Sequence, residues 1–327
     1  MMRDAIQNFH TQFAYEPKIE NGGGLSLAKK GLDCSIFIIA GMGGSHLAGG
    51  LLKTRKPKLP IRIYNDYDLP FIPNKANTLV IASSYSGNTE ETVSGFQEAL
   101  EKGYSLVVIS TGGKLLEMAK EKGIPYVQIP DTGIQPRSAL GFTFKALAKV
   151  VGRDDLVRQA GELAGILKPD VLEQEGKELI KHFEGKIPLI YGSNRNYAIA
   201  YNWKIKFNET GKIPAFYNIF PELNHNEMNG FDVTERTKEL TNAFFFFFIR
   251  DAEDHPRIQK RIAVLHEQLY QRGFPVMLID LEGSSRLERI FSCLLLADWL
   301  AFYIAKFYGR DPEKVPMIEE FKKMMSS

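Results

Sequence analysis

The feature that most limits the fold of this chain is an alternation of short apolar runs with longer amphipathic segments, which starts twice along the 327 residues. Such alternation is typical of βα units, in which helices cover both faces of a parallel sheet. The first series predicts strands over residues 35–40, 60–64, 78–83, 105–110 and 125–129. After a polar, helical stretch over 142–186, the second series predicts strands over residues 188–191, 215–218, 243–249 and 275–280.

The restart of this pattern indicates an internal duplication. In each half a strand runs into a glycine-containing turn and then a helix, at residues 41–45 in the first half and 192–194 in the second. We therefore predict an α/β protein with two doubly wound parallel-sheet subdomains flanked by helices, over residues 1–152 and 153–327. The five phenylalanines at 244–248 are interpreted as a buried central strand, because a strand covered on both faces is apolar throughout.

Charge and cysteine content exclude several classes of partner. The formal net charge is +2 and acidic and basic residues are mixed, so no polybasic segment favours nucleic acid or an anionic membrane, and we expect neither as a partner. Cys34 and Cys293 are far apart, and each lies in an apolar stretch. This pattern favours a reducing compartment and two buried, inert thiols.

The sequence also predicts a cytoplasmic protein. Its N-terminal residues lack the apolar segment of a signal peptide. The longest apolar runs, at 243–249 and at 291–304 with Asp298 inside, are interpreted as too short to cross a bilayer.

The strongest motif is SSYSGNTEET at residues 83–92, which follows an apolar strand and opens a helix. Free N–H groups at a helix N-terminus, together with the hydroxyls of Ser84, Ser86 and Thr89, can bind phosphate oxygens, and Gly87 permits close approach. An ordinary capped helix start is the alternative, but one cap needs one hydroxyl. We call residues 83–89 the serine loop and predict that it binds phosphate at the carboxyl end of its strand.

A glycine turn, GMGGS at residues 41–45, precedes the serine loop. It is similar to a dinucleotide-binding fingerprint, but His46 stands where the third glycine would be. Asp66 lies after the next strand, about where a ribose-binding acid would fall, so a nicotinamide enzyme is the weaker alternative. We favour a second tight turn, whose Gly44 and Ser45 line the same crevice as the serine loop. His46 itself is interpreted as a partly exposed helix residue without a catalytic role.

Arg137 is a candidate cation for a ligand site. Pro136 fixes the backbone ahead of it, so its guanidinium is a rigidly placed and permanently charged donor. Such a group can stabilise developing negative charge or orient a ligand oxygen. A surface salt bridge is equally compatible with this spacing.

Carboxylates, amides and one imidazole are concentrated over residues 207–227. Glu209, at the end of a helix predicted over 198–208, is the best candidate for a general base. Imidazoles are common acid–base groups in enzymes, and His225 lies among acidic and amide side chains, so it is a candidate acid–base group, although a lone histidine is usually structural. Glu222, His225 and Glu227 are possible zinc ligands, but their spacing fits no zinc motif and no metal is expected.

Two further segments bear on the number of ligand sites. Lys306 ends a helix predicted over 291–308 and is either a helix-end lysine with a packed stem, which the sequence favours, or a second donor. The loop at 250–255 takes the place of the serine loop in the second half. It is net acidic and should repel phosphate, so one phosphate site per chain is predicted.

Taken together, these segments resemble the bifunctional phosphoglucose/phosphomannose isomerase family, which consists of two flavodoxin-like sugar-isomerase (SIS) domains. The likeness covers nearly the whole chain, through GMGGS, SSYSGNTEET, QPRSAL, the NET and PAFYN segment, and PELNHNE. SSYSGNTEET alone indicates a SIS domain, whereas PELNHNE after PAFYN is specific to this family. His46 and Gly50 differ from the small residue and the acid that are frequent after GGS.

The resemblance implies an aldose–ketose isomerase for glucose 6-phosphate and mannose 6-phosphate that needs no metal or cofactor. It implies that Glu209 moves a proton between C1 and C2, that Arg137 stabilises the enediolate, and that His225, from the other subunit of a homodimer, opens the sugar ring with help from Lys306. Phosphate contacts are implied for Ser45, Ser84, Ser86 and Thr89. A non-catalytic SIS sensor of sugar phosphates is the alternative, and it would have no need of Glu209.

Overall fold

The computed structural model describes residues 1–22 and 36–325 of the chain. Packing divides the chain into a first unit, Gln7–Leu167, and a second unit, Met1–Ile6 with Lys168–Ser327. The N-terminal residues join the second unit because Arg3 donates to both carboxylate oxygens of Glu173 at 3.0 Å. Residues 153–167 pack with the first unit, and the predicted domain division at 152/153 stays a prediction.

The first unit contains one parallel sheet. Its strands are β1 (Ile36–Ala40), β2 (Ile61–Tyr64), β3 (Thr78–Ser83), β4 (Ser105–Ser110) and β5 (Tyr126–Gln128). They are arranged in the order β2-β1-β3-β4-β5, and every neighbouring pair is parallel. The chain moves outward from β1 in both directions, so the crevice beside the carboxyl ends of β1 and β3 is where such sheets bind ligands.

The second unit repeats this arrangement with one strand fewer. Its strands are β6 (Ile187–Ser193), β7 (Phe216–Phe220), β8 (Phe244–Arg250) and β9 (Val276–Asp280), in the parallel order β7-β6-β8-β9. This is the order of the first four strands in the first unit. The predicted duplication and the predicted α/β fold with two parallel sheets are therefore confirmed, although residue 35 lies outside the described residues.

Aromatic side chains fill the core of the second sheet. Phe246, Phe247 and Phe248 are fully buried in β8, as the interpretation of a strand covered on both faces requires. Tyr191 on β6 stacks on Phe248 with ring centroids 5.5 Å apart. Each buried aromatic ring removes a large apolar area from water, so this cluster is a main source of stability for the sheet.

Helices flank the strands in both units. In α3 (Glu90–Glu101) the residues Val93, Phe96 and Ala99 are buried at helical spacing, and Phe96 packs in a cluster with Val80 and Val108 of the sheet. The helices are α1 (Met2–Gln7), α2 (Gly44–Arg55), α3 (Glu90–Glu101), α4 (Gly113–Glu121), α5 (Leu140–Val150), α6 (Asp154–Ile166), α7 (Pro169–Leu179), α8 (Tyr197–Lys206), α9 (Lys238–Thr241), α10 (Pro256–Gln271), α11 (Arg286–Phe307) and α12 (Pro316–Met325).

The expectation that the apolar run at 291–304 is too short to cross a bilayer was wrong. It forms part of α11, a helix of 22 residues that is long and apolar enough to cross a membrane by length and composition. However, 78% of its most apolar window is buried within the protein, as in the core helix of a globular unit. Cys293 lies on this helix as a buried free thiol, while Cys34 lies outside the described residues.

Candidate active site

The glycine turn and the serine loop meet at the carboxyl ends of β1 and β3. The Ser45 hydroxyl accepts a hydrogen bond from the backbone N–H of Tyr85 at 2.9 Å, and Ser83 Oγ donates to the Ser45 carbonyl at 3.1 Å. A side chain at Gly41 would come within 2.5 Å of the Ser83 carbonyl oxygen. Glycine there lets the two backbones touch, so the turn and the loop are in direct contact. His46, which the sequence analysis expected to be partly exposed, is instead buried.

The segment that carries Arg137 joins the same wall. A side chain at Gly44 would lie 2.6 Å from the backbone of Pro136, so α2 begins directly against the Pro136–Ser138 turn. Arg137 is only 3% exposed, and its Nη1 donates to Gln135 Oε1 at 3.3 Å. The surface salt bridge left open above does not describe this buried guanidinium.

Hydroxyl groups within the serine loop are held by one another and by the backbone. Ser84 Oγ and Thr89 Oγ1 are 2.8 Å apart and share a hydrogen bond, and Ser84 Oγ also accepts from the Gly87 N–H at 3.1 Å. Ser86 is exposed, and its Oγ accepts from the Asn88 N–H at 3.3 Å. Gly87 has a φ of +72°, which favours glycine.

The start of α3 bears on the alternatives of a capped helix and a ligand site, and the phosphate site stays a prediction. Thr89 is the N-cap residue, yet its side chain makes no capping hydrogen bond to any described residue. The first-turn N–H groups of a helix have no intrahelical acceptor, and they carry the positive end of the helix dipole. This helix start therefore presents N–H groups and hydroxyls together, which suits an anion.

In the second unit, Glu209 lies in a π-helical turn. The α8 helix continues into π-helical residues Phe207–Gly211, which end at Lys212 in a left-handed conformation with φ of +60°. The Lys212 ammonium donates to the backbone carbonyl of Glu209. The sequence analysis expected an ordinary helix end here. Single π-helical turns occur frequently at functional sites.

Tyr201 lies close enough to the half-buried Glu209 side chain for the charge of Glu209 to affect its pKa. The rings of Tyr201 and Tyr217 are 5.2 Å apart. Burial raises the pKa of Tyr201, and the charges of Tyr217 and Glu209 raise it further. The sequence analysis missed both tyrosines, because a tyrosine on a helix or an edge strand carries no distinctive pattern.

His225 is exposed at the end of a short 3₁₀ turn, Glu222–His225. A second 3₁₀ turn, Glu227–Phe231, follows at once. An open cavity of about 510 Å³ adjoins them and is lined by residues that include His225, Asn229 and Arg272. The imidazole is therefore available to a ligand or to another molecule.

Lys306 is exposed on the last turn of α11. Its ammonium lies 5.7 Å from the centre of the Phe302 ring, so the aliphatic stem and the charge both have an apolar neighbour. This geometry agrees with the helix-end interpretation that the sequence favoured.

The polar side chains of the counterpart of the serine loop in the second unit are hydrogen-bonded to one another and to neighbouring residues. Asp251 accepts from Arg286 at 2.6 Å and from Asn196 at 3.1 Å, and Ser193 donates to Asp254 at 2.7 Å. The expectation that this loop repels phosphate by its net negative charge stays a prediction. Arginines pair with its carboxylates, Arg286 with Asp251 and both Arg195 and Arg289 with Glu253.

Within residues 1–22 and 36–325, no group of three or more His, Cys, Asp and Glu side chains could hold a metal ion. Glu227, which the zinc alternative required, binds protein groups instead: the Tyr191 hydroxyl and the Asn218 side-chain amide.

Comparison with known proteins decides the family. The chain is 36% identical to a bifunctional phosphoglucose/phosphomannose isomerase of Caldicellulosiruptor bescii, over 99% of both chains. The chain belongs to the bifunctional phosphoglucose/phosphomannose isomerase family. A second member of this family, from Aquifex aeolicus, is 34% identical over 97% of this chain and 96% of its own. The resemblance stated from the motifs is thereby confirmed.

A family model supports this assignment, and a solved structure shares the fold. Residues 172–325 match the model of the bacterial phospho-glucose isomerase C-terminal SIS domain. The crystal structure of a hypothetical protein, TT0462 from Thermus thermophilus, superimposes with a TM-score of 0.72 over 98% of this chain and 90% of its own. At 17% identity that likeness shows the fold alone.

Proposed function

We propose that this protein interconverts glucose 6-phosphate and mannose 6-phosphate with fructose 6-phosphate. The observation that carries the proposal is the uncapped start of α3, where N–H groups and the hydroxyls of Ser84 and Thr89 converge beside the glycine turn. A phosphate monoester is the anion that this donor set fits. The full-length likeness to named phosphoglucose/phosphomannose isomerases supplies the reaction.

The sugar phosphate is held by hydroxyls that still have a proton to give. Ser45 Oγ uses a lone pair to accept from Tyr85, so its own hydrogen is free for a phosphate oxygen. The hydrogen bond between Ser84 and Thr89 uses the proton of one hydroxyl, so the other hydroxyl can donate its proton to the phosphate. Ser86 and the backbone at Gly44 complete the proposed set.

Isomerisation proceeds by proton transfer through a cis-enediol. The Glu209 carboxylate removes the proton from C2 of the open-chain aldose, and the electron pair forms the C1–C2 double bond as negative charge moves to O1. A proton then passes from O2 to O1, the electron pair on O2 forms the C2=O double bond, and the C1–C2 double bond takes the same proton back from Glu209 at C1, which gives the ketose. Arg137 stabilises the enediolate, because a buried guanidinium interacts strongly with developing negative charge. Rotation about C2–C3 lets one base serve both C2 epimers.

Ring opening precedes this step and needs a group that both donates and accepts protons near neutral pH. His225 is proposed for that role, acting on the sugar bound by the partner in a homodimer, with Lys306 assisting. Exposure of His225 is compatible with delivery to another subunit. We propose that the reaction needs no metal or cofactor and takes place in the cytoplasm, within glycolysis and gluconeogenesis.

Coupled assays test the proposal directly. Protein treated with EDTA should convert fructose 6-phosphate to glucose 6-phosphate, and mannose 6-phosphate to fructose 6-phosphate, at rates that added metal does not raise. A protein that binds fructose 6-phosphate but turns over neither substrate would be the non-catalytic sensor. A change in nicotinamide fluorescence on mixing would instead favour the dinucleotide alternative.

A further inference from the structure

The loop that carries His225 is fixed on both sides of that residue. Leu223, two residues before it, is fully buried and packs in the aromatic core of the second sheet. Glu227, two residues after it, is half-buried and hydrogen-bonded to the sheet. The exposed imidazole of His225 therefore lies between two fixed residues, the buried Leu223 and the hydrogen-bonded Glu227.

The polar anchor uses both oxygens of one carboxylate. Tyr191 donates its hydroxyl proton to Glu227 Oε1, and Asn218 donates an amide proton to Oε2. These two donors are a directly paired rung of the sheet, because Tyr191 on β6 is in register with Asn218 on β7. A carboxylate held at both oxygens by a rigid rung has a fixed position and a fixed orientation.

The Asn226 side chain connects Glu227 to the turn that carries His225. Its side-chain oxygen accepts from the Glu227 N–H at 2.6 Å, and its side-chain nitrogen donates to Glu222 at 2.7 Å. One amide therefore ties the two 3₁₀ turns together on either side of the imidazole.

We propose that Glu227 is a positioning residue for His225, which it holds in place for ring opening by docking the loop on the Tyr191–Asn218 rung. This inference rests on the role proposed above for His225. The competing explanation is that Glu227 only satisfies the buried Tyr191 hydroxyl, which needs an acceptor whatever the loop does.

Glu227→Gln separates the two explanations. Glutamine keeps one oxygen for Tyr191 but sets an N–H₂ group against the Asn218 amide, so it loosens the rung without leaving the hydroxyl unsatisfied. Tyr191→Phe, which removes the other bond, is the second variant if Glu227→Gln folds poorly. Glu239→Gln, an exposed carboxylate of α9, is the matched control.

The first readout is kinetic coupling to His225. We expect Glu227→Gln to lower kcat for glucose 6-phosphate about tenfold or more, with KM little changed, as loss of a positioned acid–base group requires. Added to His225→Ala, it should cost less than about a further twofold, because both changes disable one function. If the kcat of the double variant falls by the product of the two single losses, the two residues act independently and the proposal is wrong. The proposal is also wrong if Glu227→Gln has the same kcat as Glu239→Gln.

The second readout does not depend on activity. The chain has six histidines, so the ring signals of His225 can be assigned by NMR through His225→Ala. Glu227→Gln should shift or broaden the His225 signals and leave those of the other histidines in place. Unchanged His225 signals would overturn the inference. If the wild-type protein has no turnover, only the proposed function is wrong. The NMR measurement would still show whether Glu227 positions His225.

Discussion

The Ser45 hydroxyl accepts a hydrogen bond from the backbone N–H of Tyr85 at 2.9 Å, across 40 residues of sequence. This bond joins the glycine turn to the serine loop at the point where strand order reverses in the first sheet. Ser45 is 6% exposed, so its hydroxyl supports the buried backbone of the serine loop, and we propose that it also donates to the phosphate.

Ser45→Ala should therefore affect both stability and binding. Loss of the acceptor leaves the Tyr85 amide unsatisfied and costs about 1–3 kcal/mol of unfolding free energy, while the KM for fructose 6-phosphate rises. Ser86→Ala is the comparison, because Ser86 is exposed and should weaken substrate binding with little loss of stability. Urea unfolding and initial-rate kinetics measure the two effects, and equal stability losses in the two variants would contradict this assignment.

Gly87→Ala should disrupt the serine loop. At a φ of +72° a side chain costs about 1–2 kcal/mol, and a methyl group here would also collide with the carbonyl oxygen of Gly112. Gly123→Ala is a matched control, with a φ of +66° and no atom within 4 Å of the added carbon. Thermal unfolding should show the larger loss for Gly87→Ala, accompanied by loss of inorganic phosphate binding. Similar behaviour of both variants would mean that the contact with Gly112 is unimportant.

Ion pairs in the acidic loop at 250–255 of the second unit predict a pH dependence. Hydrogen bonds from Arg289 and then Arg195 lower the pKa of Glu253 from 4.5 to about 2. A depressed pKa stabilises the fold above the unfolded pKa, and this contribution is lost as pH falls from about 4.5 through about 2. Since the Glu253 side chain is 47% exposed, solvent screening reduces the contribution to about 1 kcal/mol.

The measurement is the difference in unfolding free energy between wild type and Glu253→Gln, followed as a function of pH. It should be largest near neutrality and should shrink as pH falls below 4.5. A difference that stays constant down to pH 2 would show that Glu253 is not paired in solution.

The strands and the meeting of the two first-unit loops could be predicted from sequence, because both follow from local patterns and a general rule. Buried parallel strands are apolar runs, and the loops after β1 and β3 must meet where strand order reverses. The π-helical turn at Glu209 could not be predicted, since it differs from an α-helix by one residue of hydrogen-bond register. The pairing of Asp251 with Arg286 spans 35 residues and leaves no local signal.

Turnover by Glu209→Gln tests the central claim most directly. The account predicts that this variant binds fructose 6-phosphate within a few-fold of wild type, because the proposed phosphate site is intact, while kcat falls by about 10²–10⁴-fold with the loss of the base. A Glu209→Gln variant that isomerises fructose 6-phosphate at a rate close to that of wild type would contradict it.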